Sequence, residues 1–130
     1  MTLVDTNVLI ALMVDGRDSQ REEALAELGR LMKDGEQGLV CESVLVEACW
    51  VLERSYRLRR RKVAEALRGL ISTPPLRTWD PTLTDAALAL MARRPSLSLT
   101  DCLLLRRSAG NGSLVLSFDA GMLRETTLHR

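Results

Sequence analysis

Met1–Val14 reads MTLVDTNVLIALMV, and Asp5, Thr6 and Asn7 interrupt an otherwise apolar run. Thr2–Val4 has the character of a short buried strand, and Val8–Val14 that of a helix following it. A carboxylate, a hydroxyl and an amide therefore stand where one element ends and the next begins. Any of the three can cap the helix. In an open parallel α/β sheet, the carboxyl end of a strand is also where sites are built.

The alternation of short strands and helices continues along the chain. Ser19 and Glu22 have capping-box spacing before a helix over Gln20–Lys33, with Ala24, Leu25, Leu28, Leu31 and Met32 at helical intervals. Gly35 and Gly38 close it, and Leu39–Cys41 reads as a strand. Ser43–Tyr56 and Arg61–Ile71 are helical by pattern. Pro74–Pro75 breaks the chain before a strand at Leu76–Trp79. Asp80-Pro81 gives a cap and a first-turn proline for Thr82–Arg93. Pro95 stops that helix, Leu99–Ala109 forms the next, and Leu114–Phe118 reads as a strand. Few hairpin signals occur. The pattern predicts an α/β fold with a mainly parallel central sheet of four or five short strands flanked by helices.

The 130 residues suit one domain, 1–130, with no internal repeat or linker. Hydrophobic residues make up 46% and charged residues 27%, which is globular rather than disordered. The net charge of +1 neither favours nor excludes a polyanionic partner. Cys41, Cys49 and Cys102 are an odd set without C-x-x-C spacing, read as free thiols in a reducing compartment. The lone histidine, His129, stands next to last, so a Ser-His-Asp or Cys-His site lacks a well-placed base. A Cys/His zinc site lacks ligands. The apolar Val8–Val14 is too short to span a bilayer and no basic stretch precedes it, so a cytoplasmic location without membrane association is expected.

Most acids fall on polar faces or turns. Four do not. Asp5 ends the first strand, Glu47 is the only charge in VLVEACWVL, Asp101 lies in LSLTDCLLL, and Asp119 ends LVLSF. Asp5, Asp101 (three residues after Ser98) and Asp119 can each be explained as a helix cap. Glu47 lies mid-helix, where no backbone N–H is free to receive it, and its alternative is to point into solvent. Taken together, four carboxylates at one sheet edge would repel one another unless a cation joined them. Oxygen ligands without His or Cys favour Mg²⁺ or Mn²⁺ over zinc.

At these residues the chain resembles the PIN-domain nucleases, and most closely the VapC-type toxin ribonucleases of toxin–antitoxin pairs. LVDTNVLI is similar to the family's first acidic motif, ESVLVEACWVLER to the second, SLTDCLLL to the third and LVLSFDAGML to the fourth. The resemblance implies that Asp5, Glu47, Asp101 and Asp119 coordinate metal, with Thr6, Asn7 and Ser117 in supporting positions. Thr100 stands where many relatives have alanine. Only a short tail follows Asp119, so the family's usual final strand is expected to be short or missing. The resemblance further implies Mg²⁺- or Mn²⁺-assisted hydrolysis of RNA phosphodiester bonds, leaving a 5′-phosphate and a 3′-hydroxyl. It also implies a homodimer and a small cognate antitoxin.

For substrate contact, the obvious stretch is RSYRLRRRK. Over Arg54–Arg68 seven basic residues stand against Glu65, a net of +6 that leaves −5 for the rest. Arg54, Arg57, Arg59, Arg60, Arg61 and Lys62 are candidates for phosphate contacts. A solvated turn or an antitoxin-binding face explains the same charges. Aromatic residues are only 3%, so stacking on an aromatic platform is not expected, and Trp50 and Trp79 are read as core or interface residues. The alternative function is a catalytically inactive PIN-like RNA-binding or scaffold module. A phospho-receiver reading would need a lysine near the site, and the two lysines, Lys33 and Lys62, lie in charged segments.

Overall fold

The computed structural model describes residues 1–128. The elements run β1 (Thr2–Leu3), α1 (Thr6–Met13), α2 (Asp18–Lys33), β2 (Gly38–Leu39), α3 (Glu42–Arg54), α4 (Arg60–Ile71), β3 (Leu76–Arg77), α5 (Pro81–Arg93), α6 (Leu99–Asn111) and α7 (Ala120–Leu128). The three strands form one parallel sheet in the order β1-β2-β3, with Thr2 opposite Gly38 and Gly38 opposite Leu76. Helices connect all of them, as parallel neighbours require. The α/β class and parallel sheet expected from the pattern are therefore present, with three strands rather than four or five.

The sheet is small because the expected strand Leu114–Phe118 does not join it. This segment lies between α6 and α7 outside any ladder, with Leu114, Leu116 and Phe118 at 75%, 94% and 101% exposure. Val115 alone of its apolar residues packs against the core. The apolar segment is competent to pair, but β1 remains a sheet edge with no strand paired to its outer side among the described residues.

Burial explains the rest. Leu9, Ile10, Leu39, Val40, Leu45, Leu52, Leu67 and Leu88 are fully enclosed. Each such side chain contributes roughly 1.5–3 kcal/mol of transfer free energy. Gly38 sits at the centre of the sheet because a Cβ there would meet Leu76 and Val4 at 3.1 Å. On α2 the inward stripe is narrower than expected: Ala24 and Leu31 are buried, but Leu25 and Met32 are more than half exposed. The helix also begins one residue before Ser19. Arg17 occupies the cap without a side-chain bond, and Asp18 supplies the acid of the first turn, so the Ser19–Glu22 box does not form. Asp80 caps α5 as expected, accepting from the Leu83 N–H at 3.1 Å.

Among the described residues no helix is long and apolar enough to cross a membrane. Cys49 and Cys102 are buried and Cys41 is partly so, all as free thiols. Burial pushes the Cys49 thiol up to about 12 and the Cys102 thiol to about 11, so neither is a nucleophile at neutral pH. His129 lies outside the described residues.

Candidate functional site

The parallel sheet fixes where three of the chain's turns open. Asp5 follows β1, Cys41 and Glu42 follow β2, and Trp79 and Asp80 follow β3, all at the carboxyl edge. Asp5 is exposed and its Oδ1 accepts the Thr6 backbone N–H at 2.7 Å, capping α1. The Thr6 hydroxyl beside it is buried and has no hydrogen-bond partner. Asn7 is exposed and lines a cavity of about 400 Å³ bounded by β1, α1 and α2, with Leu3, Val8, Ala24 and Leu31 in its walls.

Glu47 lies in the middle of α3. Leu45, Ala48, Cys49 and Leu52 occupy the buried side of this helix, and Glu47 is turned to solvent. The apolar run around it is thus satisfied without burying the charge. Asp101 stands in the first turn of α6 and completes a capping box: Ser98 Oγ accepts the Asp101 N–H at 3.1 Å, and Asp101 Oδ2 accepts the Ser98 N–H at 3.0 Å. Asp119 is exposed and caps α7 by accepting the Met122 N–H at 3.0 Å. Ser117 Oγ accepts the Asp119 N–H at 3.0 Å. The cap readings for Asp5, Asp101 and Asp119 are therefore all realised, and a cap uses only part of a carboxylate's acceptor capacity.

None of the four acids forms an ion pair among the described residues. Their donor chemistry suits a hard divalent cation. Their spacing does not supply one with a ligand set: no group of three or more Asp, Glu, Cys or His side chains that could hold a metal ion occurs among the described residues. Asp119 in particular is carried by the segment that stays off the sheet. The arrangement described does not by itself enclose an ion.

The basic stretch divides in two. Arg54, Arg57, Arg59, Arg61 and Lys62 are exposed, with Arg57 at φ 54° in the turn and Arg59 at the cap of α4. Arg61 is paired with Glu65 at 3.1 Å within its own helix. Arg60 turns inward instead. Its Nε donates to the Met91 carbonyl at 2.9 Å and its Nη1 lies 3.9 Å from Glu53, so it ties α4 to α5 and α3. Of the two readings for the tryptophans, core or interface, the core one fails: Trp50 and Trp79 are 59% and 62% exposed. The signal available for Trp50 was its spacing: three residues beyond the exposed Glu47, it must share that side of α3.

The model of the PIN domain family matches residues 2–126. No curated protein and no solved structure gives a significant match. PIN domains are generally nucleases and typically use divalent metal ions. The match takes in all four acidic motifs and every element from β1 to the second turn of α7, and the chain belongs to the PIN-domain family.

Proposed function

We propose that this protein is a metal-dependent endoribonuclease that hydrolyses RNA phosphodiester bonds with Mg²⁺ or Mn²⁺, acting as the toxin of a toxin–antitoxin pair in the cytoplasm. Asp5, Glu47, Asp101 and Asp119 are the proposed ion ligands, with Thr6, Asn7 and Ser117 supporting them. The observation that carries the reading is the family match over residues 2–126, which spans all four acids. Two features support it. None of these acids is ion-paired among the described residues, in a chain with 18 lysines and arginines. The buried, unpartnered Thr6 hydroxyl sits directly beside Asp5. Exposed Arg54, Arg57, Arg59 and Lys62 offer phosphate contacts near the end of α3. A homodimer and a small antitoxin complete the proposal.

The test is cleavage of RNA by purified protein with Mg²⁺ or Mn²⁺ and with EDTA. Cleavage should require the ion and be lost in Asp5→Ala and Asp101→Asn. Variants that cut as well as the parent would remove these acids from the site. Millimolar Mn²⁺ should also raise Tm, because the ion binds only the native chain. Salt-dependent RNA binding without turnover, unaffected by the same substitutions, would instead establish an inactive RNA-binding module.

A further inference from the structure

On α3, Glu47, Trp50 and Arg54 are all exposed and stand at i, i+3 and i+7, one row along the helix. The Arg54 guanidinium lies over the Trp50 ring at 5.9 Å from its centroid, a cation–π arrangement that props the indole at the surface. Trp50 also forms a wall of a cavity of about 440 Å³ between α3 and the loop leading into α6. Cys49, Glu53 and Arg60 line the same cavity from one side, and Pro95, Ser96 and Ser98 from the other. Arg60 reaches it half-buried, with its Nη2 buried and unpartnered. Neither Glu47 nor Asp101 lines the cavity, but each lies on an element that does. Glu47 is one turn of α3 from Trp50, and Asp101 is in the same first turn of α6 that begins after Ser98.

Leaving a tryptophan this exposed costs apolar hydration that burial would recover, and an exposed aromatic beside a cavity marks a contact surface. The chemistry here is selective. A flat π-face backed by a guanidinium takes another flat π-system. The neighbouring Arg57, Arg59 and Lys62 are exposed cations, which complement a polyanionic strand. An unpaired base of single-stranded RNA meets both conditions, with its phosphates toward the basic turn.

We propose that Trp50 and Arg54 form a stacking platform for one unpaired RNA base, seated in the cavity between α3 and the loop leading into α6. This rests on the nuclease reading and adds a substrate-positioning residue to it. The platform holds the base on the same helix that carries Glu47.

The test is fluorescence titration in EDTA, which separates binding from cleavage. In a Trp79→Phe background Trp50 is the sole tryptophan, and a short single-stranded oligoribonucleotide should quench it saturably. With affinity read instead from the anisotropy of a dye-labelled oligomer, Trp50→Phe should stay within a few-fold of the parent, whereas Trp50→Ala should lose about tenfold or more, a size typical of base–aromatic stacking. An abasic oligomer of equal length should bind weakly and be indifferent to Trp50. Absence of quenching, or equal affinity for Trp50→Ala and parent, overturns the platform. Cleavage measured separately with Mn²⁺ then tells whether the nuclease reading falls with it. Trp50→Ala altering self-association by sedimentation, with RNA affinity unchanged, would make this face a subunit contact and also overturn the proposal.

Discussion

Individual charges in this chain do different work according to their partners. Arg68 on α4 donates from Nε and Nη2 to both carboxylate oxygens of Asp85 on α5, at 2.9 and 3.1 Å. The hydrogen bonds from Arg68 hold the Asp85 carboxyl below its usual range. A carboxyl lowered on folding contributes stability that is present above its unfolded pKa and is lost as pH falls through the folded value. The pair is partly exposed, so its contribution is discounted to about 0.5 kcal/mol. Asp85→Asn should therefore lower urea stability slightly at pH 7, and the difference from the parent should shrink as pH falls below the ordinary aspartate range, where Asp85 becomes protonated. A gap that persists in acid would mean that the carboxylate's charge is not what matters. The four proposed ligands contrast with this pair. Their misplacement was legible in the sequence because an acid in an apolar run is rare. That Glu47 faces solvent was not, since periodicity gives a helix's faces only when its neighbours are known.

At the level of elements, the same residue can be a cap and a ligand, and α6 allows the two roles to be separated. Ser98 and Asp101 satisfy each other's backbone N–H groups at the start of the helix. Ser98→Ala removes one of these bonds and should cost about 1 kcal/mol, read as a fall in Tm, while RNA cleavage continues. Asp101→Asn keeps an oxygen that can accept from the Ser98 N–H but removes the charge. It should leave Tm nearly unchanged and abolish cleavage. Equal losses of activity in both variants would show that Asp101 acts only by fixing the helix start. Helices were the legible elements here: α3 through α6 begin and end within a few residues of their expected bounds, because apolar spacing, Asp80-Pro81 and Pro95 act locally. The Ser19 cap was misplaced because Asp18, one residue earlier, already opens α2. Trp50 was read as core or interface, and its exposure leaves the interface half of that reading, because composition does not say which side of a helix a residue takes.

Across the whole molecule, the unmatched pieces are an edge and a ribbon. Thr2 and Val4 donate to Gln37 and Leu39 carbonyls on the β2 side, which turns the backbone groups of Leu3 toward the open edge. Leu3 itself is 69% exposed. The ribbon is Leu114–Phe118, whose alternate apolar residues are exposed and whose last residue leads to Asp119. An apolar run shows that a segment can pair, not whether it is paired, so the expected four or five strands overcounted the sheet, which has three. The proposed site needs Asp119 near Asp5. Parallel pairing of this ribbon with β1 is the arrangement that would bring both acids to one sheet edge while covering Leu114, Leu116 or Phe118. Ion binding and strand pairing would then be linked, each favouring the other. Hydrogen exchange reads this directly. Amides of Leu3 and of residues 114–118 should exchange quickly in EDTA and slow about tenfold or more in Mn²⁺, and Asp119→Asn should abolish the slowing. Exchange that is the same with and without the ion, in a protein that Mn²⁺ does stabilise, would mean that Asp119 does not share an ion with Asp5.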